Sequence, residues 1–285
     1  MAILVLGGRG KLATALASHL KAANLPFLVG THSSPNDSTY VHFDWTKNDT
    51  WKNAFDRVYE SGMSKISGVF IAGASIMDIG EKMVNFIDLA KSQGVKRFVL
   101  ISASNLEKGG TEMGQAHEHL ADLDGIEYAV LRPTWFMENF LESPHLDSIK
   151  NESIIYSAAG DGKIPFISIH DISRLALHAL TDAVPLNRDL FVLGPECVTH
   201  TELASLMTSV VGRQIKFVSL NEAELANHLV EGQGVPLEFA QMIAALDHEA
   251  ANGTEERLGD EVEKLTGVAP KSFADFCKEN KECWI

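Results

Sequence analysis

Ile3-Leu4-Val5-Leu6-Gly7-Gly8-Arg9-Gly10-Lys11-Leu12-Ala13 begins as a short apolar run, breaks at a glycine loop and passes into leucines 12, 16 and 20 at four-residue spacing. The run reads as a strand, and the spacing puts the three leucines on one face of a helix. A strand that turns through glycines into a helix offers unpaired N–H groups and the positive end of the helix dipole to an anion. The glycines let the backbone turn tightly and approach a pyrophosphate, and Ala13, third in the G-x-x-G-x-x-A pattern, is small enough for close packing of helix on strand. The stretch points to nucleotide binding by Gly7, Gly8, Arg9, Gly10, Lys11 and Leu12, against the plainer reading of a tight turn.

Outward from the loop, strand-like segments at 27–30, 41–43, 69–72, 97–101 and 127–131 alternate with helical patterns at 50–60, 82–92 and 113–123. Such alternation predicts a parallel sheet with helices on both faces, a Rossmann-type doubly wound α/β fold. The second half is less regular. Short strands are expected at 154–156, 166–169 and 190–193, with Asp171 capping a helix over 172–180. Thr199-His200-Thr201-Glu202 has capping-box spacing, and further helices are expected at 222–230, 236–250 and 272–278. The expected organisation is a nucleotide-binding domain over 1–150 and a smaller, mostly helical substrate-binding lobe over 151–285, interleaved with the first.

The net charge of -14 excludes nucleic acid as an expected partner, because phosphate neutralisation needs a basic surface. The charge is unevenly placed. Residues 1–36 hold Arg9, Lys11 and Lys21 and no acid, whereas residues 222–285 carry fourteen acids against five bases. The three cysteines, Cys197, Cys277 and Cys283, lack metal-ligand spacing and read as reduced thiols of a cytoplasmic protein. No secretory signal is expected, because the first strand runs straight into the glycine loop. The apolar runs fall far short of the roughly 20 residues of a bilayer helix.

An acidic residue about 20 positions beyond the loop would grip a ribose 2′-hydroxyl and repel a 2′-phosphate. Here that place reads Gly30-Thr31-His32-Ser33-Ser34, and the first acid is Asp37. Thr31, His32, Ser33 and Ser34 with Arg9 suit a phosphate, which favours NADP(H); the plainer reading of the serines is a solvated loop. Asp44 and Trp45 follow the third strand, where a carboxylate would accept from an adenine amino group. Ala72 and Gly73 end the fourth, and Ser102 ends the fifth, near the place of a nicotinamide.

Short-chain carbonyl reductases pair a tyrosine with a lysine four residues on, which lowers the phenol pKa for proton delivery. None of the four tyrosines, Tyr40, Tyr59, Tyr128 and Tyr156, has that lysine. The helix that would present the pair offers His117 and His119 instead. Two apart, they point to different helix faces and make no metal pair, and no metal is expected. Ser102 and His117 are the catalytic candidates, against a structural role for the histidine.

The glycine loop, Gly94-Val95-Lys96-Arg97-Phe98-Val99-Leu100, Ser102-Ala103-Ser104, Glu107-Lys108-Gly109-Gly110, Gly162-Lys163-Ile164-Pro165-Phe166-Ile167-Ser168 and above all Leu131-Arg132-Pro133-Thr134-Trp135-Phe136-Met137-Glu138-Asn139-Phe140 resemble the NmrA-like atypical short-chain dehydrogenases. Within them, the likeness is to the fungal ergot-alkaloid reductases of the festuclavine and agroclavine dehydrogenase type. The resemblance implies NADPH-dependent reduction of an iminium or related intermediate in indole-alkaloid biosynthesis. His32 departs from it, since those reductases tend to have arginine there. Pro133 and Phe136 are then candidate cofactor contacts, and Trp135, Phe136, Asn139, Phe140, Tyr156, Phe166 and Met242 candidate substrate contacts; ordinary core packing is the competing reading for these aromatics and methionines. The absent tyrosine and lysine also leave open a non-reductive rearrangement or cyclisation with bound nucleotide, and the family includes redox-sensing regulators.

Overall fold

A computed structural model describes residues 2–33, 37–61, 64–76 and 78–285. The chain forms two compact units, one of residues 1–133, 169–192 and 264–267, the other of 134–168, 193–263 and 268–285. The division therefore falls at Pro133/Thr134 rather than at residue 150, and the chain crosses it repeatedly.

In chain order, β1 (Ala2–Leu6), α1 (Lys11–Ala22), β2 (Phe27–Thr31), β3 (Tyr40–His42), α2 (Asn53–Ser61), β4 (Ile66–Ile71), α3 (Ile79–Ser92), β5 (Arg97–Ile101), α4 (Met113–Asp122) and β6 (Glu127–Pro133) build the first unit. The second unit opens with α5 (His145–Glu152) and β7 (Ile154–Ser157). The chain then returns to the first for α6 (Ile169–Thr181) and β8 (Arg188–Val192). It continues with α7 (His200–Val211), β9 (Lys216–Ser219), α8 (Glu222–Gln233), α9 (Leu237–Ala251), α10 (Glu261–Thr266), which the two units share, and α11 (Phe273–Asn280).

The first unit is a seven-stranded sheet in the order β3-β2-β1-β4-β5-β6-β8. All pairs are parallel, with Val5 opposite Phe70, Val69 opposite Phe98 and Arg132 opposite Phe191. Every residue of β1 is buried, as expected of a strand covered on both faces, and this is why it reads as an unbroken apolar run. The chain leaves β1 for β2 and β3 on one side, then crosses back to β4 and continues outward. Strand order thus reverses between β1 and β4, the place where open α/β sheets bind ligands at their carboxyl ends. Phe43, Trp45, Trp51 and Phe86 pack mostly edge-to-face at 5.0–6.5 Å against this half of the sheet.

Three sequence expectations are corrected here. The strand expected at 190–193 is β8, and it joins the main sheet. The strand expected at 166–169 is a single bridge between Phe136 and Ile167, after which α6 begins at Ile169. Asp171 is consequently inside that helix, buried and paired with Arg174 at 2.9 Å, rather than capping it.

The second unit pairs β7 with β9 in parallel and surrounds them with helices. Capping boxes at Thr199/Glu202 and Asn221/Glu224 start α7 and α8. Its core is aromatic: Phe140, Phe166, Phe273, Phe276 and Trp284 are each at most 2% exposed. The carboxyl terminus is tied down by Trp284, whose indole N–H donates to the Phe140 carbonyl at 2.8 Å while its own carbonyl accepts from Arg213 at 2.6 Å. Among the described residues, no helix is long and apolar enough to cross a membrane.

Candidate functional site

The glycine loop adopts the conformation its sequence demands. Gly7 has φ +116° and Gly8 φ +60°, and the N–H of Gly10 donates to the Gly7 carbonyl at 3.0 Å, closing the turn. A Cβ on Gly7 would lie 3.0 Å from that of Ala72 and 3.3 Å from that of Ala13, so the small third residue and the end of β4 both close on the loop. The N-terminus of α1 starts at Gly10 with no side-chain cap and no acid in its first turn. A run of backbone donors with no competing anion fits a diphosphate.

A Cβ on Gly8 would lie 3.6 Å from the Thr31 hydroxyl, which places the loop beside the end of β2. Thr31 is buried, and its Oγ1 lies 3.0 Å from that of Ser33. His32 is exposed. The Arg9 guanidinium sits 5.8 Å from the centroid of the ring of Tyr40, the first residue of β3. Ser34 lies outside the described residues. Asp37, the first acid, accepts from the Thr39 N–H at 2.8 Å, and that bond holds its carboxyl below the ordinary range. The donors and the cation fit a phosphorylated ribose.

Asp44 and Trp45 are committed to local structure. One Asp44 oxygen accepts from the Thr46 hydroxyl and N–H at 2.7 and 2.9 Å, bonds that depress its pKa. Trp45 is 7% exposed, belongs to the aromatic core and donates to the Ala72 carbonyl at 3.3 Å. Its effect on the site is to hold the end of β4, where Gly73 packs against Met83.

Ser102 follows β5 and is fixed by its N–H to the Leu131 carbonyl at 2.8 Å. Its hydroxyl is buried without a hydrogen-bond partner, as is Nδ1 of His117 on α4. Burial lowers the His117 pKa, and Arg132 and Lys108 add to this against Asp189 and Glu107. The imidazole is therefore neutral near pH 7. His119, two residues on, faces outward to Asp88 at 2.8 Å. Pro133 ends β6 buried, its carbonyl accepting from the Ser104 N–H at 3.0 Å.

In the second unit, Trp135, Phe136 and Asn139 are half-buried on the segment that pairs with Ile167. Phe140 and Phe166 are not walls of an open site. Their ring centroids are 5.6 Å apart and both rings contact Phe273, because the distant C-terminal segment covers them. Glu138 is likewise buried and accepts from the Ser168 hydroxyl at 2.8 Å. Tyr156 donates to Glu152 at 2.8 Å and lies 4.0 Å, centroid to centroid, from His228. Met242 is exposed on α9 beside Phe239.

Arg132 and Asp247 are buried charged groups without a role in the sequence reading. Arg132 is inside the sheet, and an arginine between Leu131 and Pro133 on an interior strand was the available signal. Asp247 on α9 shares the buried face of Ala240, Ala244 and Ala250, an acid on an apolar stripe. Among the described residues, no group of three potential metal ligands converges, and the three cysteines are free.

The NmrA-like family model matches residues 1–277. Festuclavine synthase I of Penicillium roqueforti is 47% identical over 287 residues, covering all of both chains. Agroclavine dehydrogenase of Claviceps fusiformis is 47% identical over 289 residues, covering 100% of this chain and 99% of that one. The Citrobacter sp. triphenylmethane reductase complexed with NADP(H) superposes with a TM-score of 0.79 at 22% identity, covering 98% and 99% of the two chains. Sheet order, glycine loop and full-length similarity agree: the chain belongs to the NmrA-like family.

Proposed function

We propose that this protein is an NADPH-dependent reductase of an iminium or related intermediate in fungal-type indole-alkaloid biosynthesis. The observation that carries the reading is the end-to-end 47% identity with festuclavine synthase I. In the first unit, the diphosphate is held by the glycine loop and the start of α1, through backbone N–H groups other than that of Gly10, which closes the turn onto Gly7. Arg9, with Thr31, His32 and Ser33, receives the 2′-phosphate, and Ala72 and Gly73 let the backbone pass close to the ribose. Ser102, His117 and Pro133 stand at the nicotinamide end.

NADPH, when bound, supplies a hydride to the iminium carbon; the C=N electron pair moves onto nitrogen, leaving a neutral amine and NADP+. No proton is needed in that bond-forming step, which suits a chain without the tyrosine and lysine pair. What the protein must supply is orientation and an electrostatic setting. The buried Ser102 hydroxyl offers a hydrogen bond, and a neutral His117 adds no positive charge against a cationic substrate. Trp135, Phe136, Asn139, Tyr156 and Met242 of the second unit are the proposed substrate contacts, and Phe136 also a cofactor contact. The reduced cysteines suit the cytoplasm.

The test is a titration with NADPH and NADH, followed by turnover on N-methyl-3,4-dihydro-β-carbolinium, a cyclic indole iminium. Tighter binding of NADPH and one NADPH consumed per amine formed are expected. Product without NADPH consumption would replace reduction by rearrangement. Nucleotide binding with no indole iminium altering thermal stability would point to a regulator.

A further inference from the structure

Arg132 has no assigned role, yet its guanidinium is the most heavily engaged buried cation among the described residues. The side chain is 5% exposed. From β6, Nη1 donates to Asp189 at 3.1 Å, Nη2 to Glu107 at 2.6 Å and to the Ser104 carbonyl at 3.0 Å, and Nε to the Ala103 carbonyl at 3.4 Å. Its flat face covers the Phe191 ring at 4.5 Å. Two of these acceptors are the consecutive carbonyls that follow Ser102. A third, Glu107, leads to α4: the Gly110 N–H donates to the Glu107 carbonyl at 3.0 Å, and a Cβ on Gly114, in the first turn of α4, would lie 2.4 Å from that oxygen. The same cation therefore fixes the loop after Ser102 and the start of the helix bearing His117, the two residues with an unpartnered buried polar atom at the nicotinamide end.

We propose that Arg132 is a positioning residue for the reductase reaction, holding Ser102 and His117 in place through the Ala103–Glu107 segment. The inference rests on the reductase reading. Arginine suits the role because its planar fork reaches a carboxylate and two carbonyls at once, which an ammonium cannot do. The partner carboxylates stay hydrated when the cation is removed, Glu107 being 76% and Asp189 39% exposed. Loss of the side chain thus falls on the loop carbonyls rather than leaving a buried unpaired charge. His117 also feels Arg132 electrostatically, together with Lys108, Glu107 and Asp189.

The test compares Arg132→Met and Arg132→Lys with the parent protein in three measurements. The first is the imidazole titration of His117 by NMR without nucleotide; the second is hydrogen exchange of the 103–107 amides. The third is NADPH affinity set against kcat on the dihydro-β-carbolinium. In Arg132→Met, the His117 midpoint is expected to rise, because a cation opposing its protonation is gone. Protection at 103–107 should fall, and kcat should drop about tenfold or more with NADPH affinity within about threefold. In Arg132→Lys, the midpoint stays near that of the parent while loop protection still falls. A folded Arg132→Met with an unmoved midpoint or unchanged loop protection overturns the proposal. If Arg132→Met fails to fold, unchanged loop protection in Arg132→Lys does so. The titration and exchange need no substrate, so a wrong substrate class would show as absent turnover in the parent and leave them readable.

Discussion

Acid should unfold the second unit through two histidines that are kept neutral. His200 is buried in its aromatic core and His145 is half-buried, stacked on Phe140, and burial lowers them from 6.5 to about 3 and about 4. His200 stacks on Phe217 at 5.5 Å, and neither of its ring nitrogens has a hydrogen-bond partner. A group whose pKa is depressed in the native state contributes stability that is present above its unfolded value and lost as pH falls. Between pH 7 and pH 5 the unfolded imidazoles gain protons that the native ones refuse, which costs about 2 kcal/mol for each, or about 4 together. Asp247 opposes this. Burial raises it from 3.8 to about 6, against its bonds from Ser157 and from the Ala158 N–H. Its stabilising contribution is present at low pH and lost as pH rises through about 6, so it returns about 1 kcal/mol over the same interval. The net loss for these three groups is about 3 kcal/mol. His200→Phe keeps the ring stack and removes one titration, reducing that loss to about 1 kcal/mol. Urea unfolding followed by tryptophan fluorescence at the two pH values reads the difference. If His200→Phe shows the parent's full pH dependence, the assignment of acid lability to the buried imidazoles is wrong.

Further outcomes are open to direct measurement. Gly7→Ala should cost about 1–3 kcal/mol, since its Cβ would crowd Ala72 at a left-handed φ, and NADPH affinity should fall with it; calorimetry and titration check both. Arg9→Ala should weaken NADPH about tenfold or more and leave NADH nearly unchanged, because in the proposed reading only a phosphorylated ribose engages the guanidinium. Trp284→Phe removes the bond to the Phe140 carbonyl and leaves a void, so the second unit should lose about 2–4 kcal/mol in denaturant midpoint analysis.

What the chain discloses in advance is what is local. The β1 loop and α1 were legible because the apolar run, the glycines and the leucine face lie within twenty residues, and Thr199 and Glu202 cap α7 at the expected spacing. Strand β8 was harder to place because Arg188 and Asp189 open it as a polar edge, and its partner β6 lies some sixty residues earlier. The helix at Ile169 overrode the strand-like 166–169 run, since the apolar face of α6 packs on the sheet. Long-range covering was invisible: nothing near Phe140 or Phe166 announces that Phe273 and Trp284 will bury them. At the nucleotide end, Trp45 looked available because it follows a strand, but Phe43, Trp51 and Phe86 enclose it. Arg132 stood in view within a motif, but its partners come from β8 and the loop after β5, which only the sheet order brings together.

The most direct measurement is isotope transfer from NADPH deuterated at the reactive position of the nicotinamide ring to N-methyl-3,4-dihydro-β-carbolinium. The expected result is one deuterium on the former iminium carbon of the amine for each NADPH oxidised, carried on one face. Amine without deuterium at that carbon, or a rearranged product with NADPH intact, would contradict direct hydride delivery.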